Sequence, residues 1–361
     1  MTAALDDFAA AAARIERNPL GRLMYGQREL FHSNLIAWFF DALPEAADAV
    51  FRPLAAAGEG SRRRVERERG HLDLVFHWPD RTPLVIENKV FSLAQRDQLD
   101  EYEAATARWG PPPSLVLLSL SAPGFDLGRW RHLDYVDLAS RIDAALGSSA
   151  SYETETMRRY AALVRDLQRL VESVQVRSHD EPVWMPAGLL AALSSSQMRA
   201  ALQKARAQRV AHLINERLPD LEQPAAASMT NATPLVESFE YTPTGGIHVH
   251  LGWQLQGAQF RRAVVYHDPS VTGRSAESRR AREEASRAHP EFFRMPAPVS
   301  GTGGRKEFNH YAPSFVYQYA KAPELTVGEL LDAAAEVHGE LLSLRDPVAG
   351  ERPSSAQRVA P

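Results

Sequence analysis

Cysteine is absent from the 361 residues, which excludes disulfides, thiolate zinc sites and a cysteine nucleophile. Carboxylates and histidines are left as the side chains able to ligate a metal. No stretch approaches the roughly 18 consecutive apolar residues that a membrane helix needs. The N-terminus reads as an acidic, alanine-rich helix and not as a charged-then-apolar leader, so the expected location is cytoplasmic. Positive charge is not in excess either. The 41 Lys and Arg against 45 Asp and Glu leave a formal charge of −4, so any nucleic acid must be held by local cationic patches. Two patches qualify: Arg62, Arg63, Arg64, Arg67 and Arg69, and Arg274, Arg279, Arg280 and Arg282. Both are interleaved with Glu, the pattern of a solvated surface. Internal repeats and low-complexity tracts are lacking too. What is present is the balance of a globular chain, 44% apolar and 24% charged, long enough for two domains.

Periodicity predicts helices over 4–18, 27–43 and 45–57, the second carrying Leu30, Phe31, Leu35, Trp38 and Phe39 near 3.6-residue spacing. Residues 72–78 and 84–90 read as strands joined by the turn 79–83, whose two prolines and Asp favour a tight reversal, so an antiparallel hairpin is expected. A helix over 94–109 stops at Gly110 and three prolines, and 114–120 has the continuous apolar character of a buried strand. Helices follow at 136–146 and 152–176. The aperiodic segment 177–186 marks a domain boundary, giving domains over 1–178 and 179–361. The second should hold a helix at 195–218, a Pro- and Ala-rich connector at 219–234, strands at 235–242, 246–256 and 260–267, and a helix at 324–344. A tail over about 350–361 is expected to be disordered.

Side chains alternate along a strand, so Val85, Glu87 and Lys89 share one face and Asp73 shares a face with Val75. Hairpin pairing brings Asp73 toward Glu87. Charges inside apolar strands are costly unless they are paired or bind an ion, and such violations mark function. Two carboxylates, a backbone carbonyl at Asn88 and water suit Mg²⁺ or Mn²⁺. The ammonium of Lys89 is then placed to orient an attacking water or to stabilise the transition state of phosphodiester hydrolysis. The next helix presents Gln95, Gln98, Leu99 and Tyr102 as one stripe, with two amides and a phenol available to the site.

Asp73, then Glu87-Asn88-Lys89, then Gln98 and Tyr102 in a Gln-x-x-x-Tyr arrangement resemble the PD-(D/E)XK nuclease superfamily and its RecB-like members. The helix from Glu29 to Asp41, with His32-Ser33-Asn34, resembles the start of a bacterial branch of that superfamily. The similarity spans about residues 25–175. It implies a restriction-endonuclease-like α/β core, ordered helix, β-hairpin, helix and strand, followed by a C-terminal α+β domain. It also implies Asp73 and Glu87 as metal ligands, Lys89 as the catalytic lysine, and Gln98 and Tyr102 as supporting groups. Glu29 is the additional acidic residue by resemblance, with Glu66 and Glu68 as alternatives. Leu72 stands where the family name has Pro. His32 and Ser33 either approach the site or pack and cap their helix. A Mg²⁺-dependent nuclease acting on DNA, in defence against foreign DNA or in DNA processing, is the implied activity. The alternatives are a catalytically silent scaffold and a nuclease awaiting a partner. The C-terminal domain would then serve substrate, partner or homo-oligomer contacts.

Three further features compete for attention. His248 and His250 fall on one strand face and His267 on the next predicted strand, as metal ligands or as half-exposed strand positions. The segment 301–306 has glycines and cations but not the ending of a phosphate-binding loop, and reads as a surface loop. The aromatic residues between Trp253 and Tyr319 either build a core or stack on bases.

Overall fold

The strand-like runs either side of Pro79-Asp80 are apolar at nearly every position because they form the middle of a sheet. The computed structural model describes residues 2–24, 28–92, 94–123, 125–230, 233–244, 247–301, 303–311 and 313–345. The expected disordered tail lies outside them. Two compact units are present, one comprising residues 1–174 with 187–205 and the other 175–186 with 206–361. Among the described residues no helix is long and apolar enough to cross a membrane.

The N-terminal unit opens with four helices: α1 (Thr2–Arg17), α2 (Pro19–Met24), α3 (Arg28–Ala42) and α4 (Pro44–Phe51). A single 3₁₀ turn at Arg52–Leu54 stands where the helix was expected to run to 57, since Pro53 removes a helical N–H. Then come β1 (Arg64–Arg69), β2 (Leu72–Trp78), β3 (Arg81–Lys89), α5 (Arg96–Thr106), β4 (Ser114–Ser119), β5 (Trp130–Asp134), α6 (Tyr135–Leu146) and α7 (Tyr152–Ser173). The short α8 (Ala187–Leu190) and the first half of α9 (Ser196–Arg217) complete it. The sheet order is β1-β2-β3-β4-β5. The first three strands are antiparallel and the last two run parallel to β3. Strand β3, at the centre, is covered on both faces, which explains its unbroken apolar run over Leu84, Val85 and Ile86.

One face of this sheet packs Val75, Val85, Leu115 and Leu117 against Leu99 of α5. On the other, Phe76 stacks on Phe51 with ring centroids 4.9 Å apart and meets Phe40 at 4.9 Å. Each such ring contributes about 1.5–3 kcal/mol by burial. Strand β1 escaped the sequence reading because its Arg and Glu residues look like a solvated patch. It is the edge of the sheet, where charge is tolerated and discourages further pairing. Arg64 and Arg69 both bind Glu66 there, Arg63 binds Asp48, and Arg67 bonds to Asn34.

The C-terminal unit holds the rest of α9, then β6 (Ala226–Thr230), β7 (Thr233–Thr244), β8 (Ile247–Gln256), β9 (Gln259–Tyr266), α10 (Ala276–Ala288), α11 (Ala297–Ser300), β10 (Gly304–His310), β11 (Phe315–Lys321) and α12 (Val327–Leu344). Its sheet is antiparallel throughout, ordered β10-β11-β9-β8-β7-β6. Strand β6 lies within the expected connector and β10 begins inside the expected loop at 304. Both are edge strands with little apolar alternation. Helix α12 covers one face through Leu330, Leu331, Ala334, Val337 and Leu341, beside Val236, Leu251, Trp253 and Val264.

Candidate active site

The last register pair between β2 and β3 is Leu74 with Ile86. One residue beyond it, a carboxylate oxygen of Asp73 accepts the Asn88 backbone N–H at 2.7 Å, bridging the point where the strands part. Glu87 and Lys89 leave β3 on the side of Val85, as alternation requires. The Lys89 ammonium lies 2.9 Å from Glu87 Oε1, and the two side chains are only 11% and 3% exposed. The cluster sits at the carboxyl end of β3, beside the parallel strand β4, where open parallel sheets place their ligands.

Helix α5 fixes Glu87 from above. Gln98 Nε2 donates to Glu87 Oε1 at 3.3 Å and to the Tyr102 hydroxyl at 2.7 Å, so the i,i+4 pair acts as one bracket. Gln95 does not join them: it stands just before the first turn of α5, makes no capping hydrogen bond with its side chain, and is exposed. Glu29, at the first turn of α3, accepts a hydrogen bond from Ser92 at 2.6 Å and contributes to the field on Asp73, Glu87 and Lys89. Of the alternatives, Glu68 acts on Asp73, whereas Glu66 is held by Arg64 and Arg69.

Burial pushes the Asp73 carboxyl up to about 6, with Glu29 and Glu68 adding to the effect and the Asn88 N–H and Lys89 opposing it. Burial, and then the charge of Asp73, carries Glu87 up to about 7, against the pull of Lys89. Burial works against the charge of Lys89, but Glu87, Glu29 and Asp73 outweigh it, and its ammonium is held more firmly than usual. The second oxygen of Glu87, Oε2, is buried without a hydrogen-bond partner. Such an atom is costly to leave unpaired.

The Asn88 side chain takes the opposite direction. Its Nδ2 donates to the Glu29 carbonyl at 3.0 Å and the Ser33 hydroxyl at 3.3 Å, and Tyr135 donates to its Oδ1. Only the main chain of Asn88 is therefore on the side of the carboxylates. His32 and Ser33 are buried in this supporting layer. His32 meets the Tyr160 hydroxyl at 3.0 Å and the Met24 sulfur at 3.3 Å, and full burial holds its imidazole neutral, down to about 3. Ser92, Tyr135 and Tyr160 went unrecognised in the sequence, where nothing in their spacing sets them apart.

In the other unit, His250 and His267 meet nitrogen to nitrogen and Tyr241 bonds to His248. Among the described residues, no group of three His, Asp or Glu side chains is placed to hold a metal ion, here or elsewhere. Trp253, Phe260, Tyr266, Phe292 and Phe293 are core residues.

No curated protein and no solved structure matches the chain. A family model described as PD-(D/E)XK nuclease superfamily matches residues 20–111, a span that includes Glu29, Asp73, Glu87, Lys89, Gln98 and Tyr102. With that match on a mixed sheet whose acidic pair and lysine meet at the end of β3, residues 20–111 of the N-terminal unit are similar to the PD-(D/E)XK nuclease superfamily.

Proposed function

We propose that the N-terminal unit hydrolyses phosphodiester bonds, with DNA as the substrate and Mg²⁺ or Mn²⁺ as the cofactor. The observation that carries this reading is the buried, unpartnered Oε2 of Glu87 beside a second, half-buried carboxylate, Asp73. Two carboxylates that burial and neighbouring acids push toward protonation are a donor set completed by a hard divalent cation. A residue's N–H and C=O leave a strand on the same edge. The Asn88 N–H bonds to Asp73, so the Asn88 carbonyl is the third oxygen on that side. Water and phosphate oxygens would fill the remaining positions.

The cation, when bound, supplies polarisation of the scissile phosphate and acidification of a water. The chain's own groups do the rest. Lys89, held charged by Glu87, stabilises negative charge building on the phosphorus-bound oxygens or orients the attacking water. Gln98 and Tyr102 keep Glu87 in one rotamer, and Ser92 does the same for Glu29. The C-terminal unit serves recognition. Plasmid, linear duplex, single-stranded DNA and RNA, each incubated with Mg²⁺, with Mn²⁺ and with EDTA, test the reading. Metal-dependent cleavage by the wild type is expected, and its loss in a folded Lys89→Ala variant. Cleavage at the wild-type rate by that variant would refute the assignment.

A further inference from the structure

The six-stranded sheet of the C-terminal unit has two unlike faces. Helices cover one, as described above. On the other, the apolar cluster is made of strand residues alone: Phe239, Ala263, Val265, Phe315 and Tyr317. At its centre the register aligns Gly252 of β8 with Ala263 of β9, and Phe239 and Phe315 reach across these small residues to within 5.9 Å, ring centroid to centroid. A side chain at Gly252 would begin 2.8 Å from the Phe239 ring, so this shallow floor depends on glycine.

Cations and rings alternate at one end of that floor. Tyr319 pairs with Arg261 and Tyr317 with Ala263, which sets Arg261, Tyr317 and Tyr319 on one face with Lys321 beyond them. The Arg261 guanidinium lies 4.7 Å from the Tyr317 ring centroid and is otherwise held by Gln259 at 2.8 Å. Among the described residues, neither Arg261 nor Lys321 makes an ion pair. Among the described residues of β7, β8, β9 and β11, the acid on this face is Glu237, which is bound by Gln254. Tyr317 and Tyr319 are half-buried, and Tyr311, next to Phe315, is 58% exposed.

We propose that this sheet face binds single-stranded nucleic acid, with unpaired bases stacking on Tyr317, Tyr319 and Tyr311 and with Arg261 and Lys321 meeting the phosphates. Cations without carboxylate partners complement a polyanion, and ring faces open to one side offer bases the contacts they lose on leaving a duplex. A duplex keeps its bases stacked on each other and gains only the phosphate contacts. The inference stands on this sheet and not on the chemistry of the N-terminal unit. Its failure in a binding assay without cleavage would leave the nuclease reading untouched.

The test is fluorescence anisotropy of the full chain in EDTA with a labelled oligothymidylate, the same strand annealed to its complement serving as the duplex probe. The single strand should bind more tightly than the duplex. Tyr317→Leu should weaken binding roughly tenfold and Tyr317→Phe should preserve it. Arg261→Gln should reduce the slope of log affinity against log salt by about 0.7. If Tyr317→Leu does not melt cooperatively, Lys321→Gln, a surface change, and Arg261→Gln, at a half-buried position, decide the matter through that slope. Overturning results are no binding by the wild type, equal affinity for duplex, wild-type affinity in the ring and cation variants, or a chain dimer that Tyr317→Leu dissolves.

Discussion

Glu87 is pulled in two directions: burial and Asp73 favour its neutral form, while Lys89 and Gln98 favour the carboxylate. A carboxyl raised to about 7 binds its proton more tightly in the folded chain than in the unfolded one. Its contribution to stability is therefore complete below the ordinary Glu range and is lost as pH rises through 7. Asp73 adds a loss of the same sign up to about 6. The metal-free chain should melt several degrees lower at pH 8 than at pH 5, and Glu87→Gln should flatten that profile. Added Mn²⁺ should restore the wild type at pH 8 and do little at pH 5, since ligands must be deprotonated to bind. Thermal scans across pH, with and without Mn²⁺, check both signs. An unchanged melting temperature with Mn²⁺ at pH 8 would remove Glu87 and Asp73 from the ligand set. For Lys89→Ala, removing the one charged donor among three acids should lower the cleavage rate about 10²- to 10³-fold.

Helix α5 and strand β3 work as a pair, because the amide of Gln98 spans the gap between Glu87 and Tyr102. Gln98→Ala should lower cleavage by about tenfold and the melting temperature by only a few degrees, each of its two partly buried hydrogen bonds being worth about 1 kcal/mol. Steady-state rates beside a melting curve separate the two effects. Behind β3, Tyr135→Phe leaves Asn88 Oδ1 without its donor in a buried layer and should destabilise the chain by about 1–3 kcal/mol. Denaturant midpoints measure this. On the far face, Phe76→Ala opens a cavity against Phe40 and Phe51 and should cost about 3–5 kcal/mol. Two elements of this sheet, β1 and β5, were illegible in advance. Edge strands bury little, and their residues follow their neighbours more than any apolar alternation.

Across the whole molecule, the groups assigned to chemistry all lie in one unit and the aromatic sheet face in the other. A small phosphodiester such as bis(p-nitrophenyl) phosphate has no strand to lay along a sheet. Its Mn²⁺-dependent hydrolysis should be abolished by Lys89→Ala and unchanged by Arg261→Gln. A spectrophotometric assay of the three proteins shows whether the two surfaces act independently. Equal loss in both variants would contradict the division of labour.

The sequence by itself determined the hairpin, its face alternation and the trio Asp73, Glu87 and Lys89, because charges inside an apolar strand and a Gln-x-x-x-Tyr helix are local patterns with local physical costs. It also placed most of the long helices, whose periodicity repeats over several turns. The tertiary structure decided what depended on distant partners. The parallel pairing of β3 with β4, the turning of Asn88 away from the carboxylates toward Tyr135 and Glu29, and the hold of Ser92 on Glu29 all join residues far apart in the chain. It also sorted the aromatic residues of the second unit into a covered core and an open face, since alternation along a strand specifies two sides without saying which one a helix will cover.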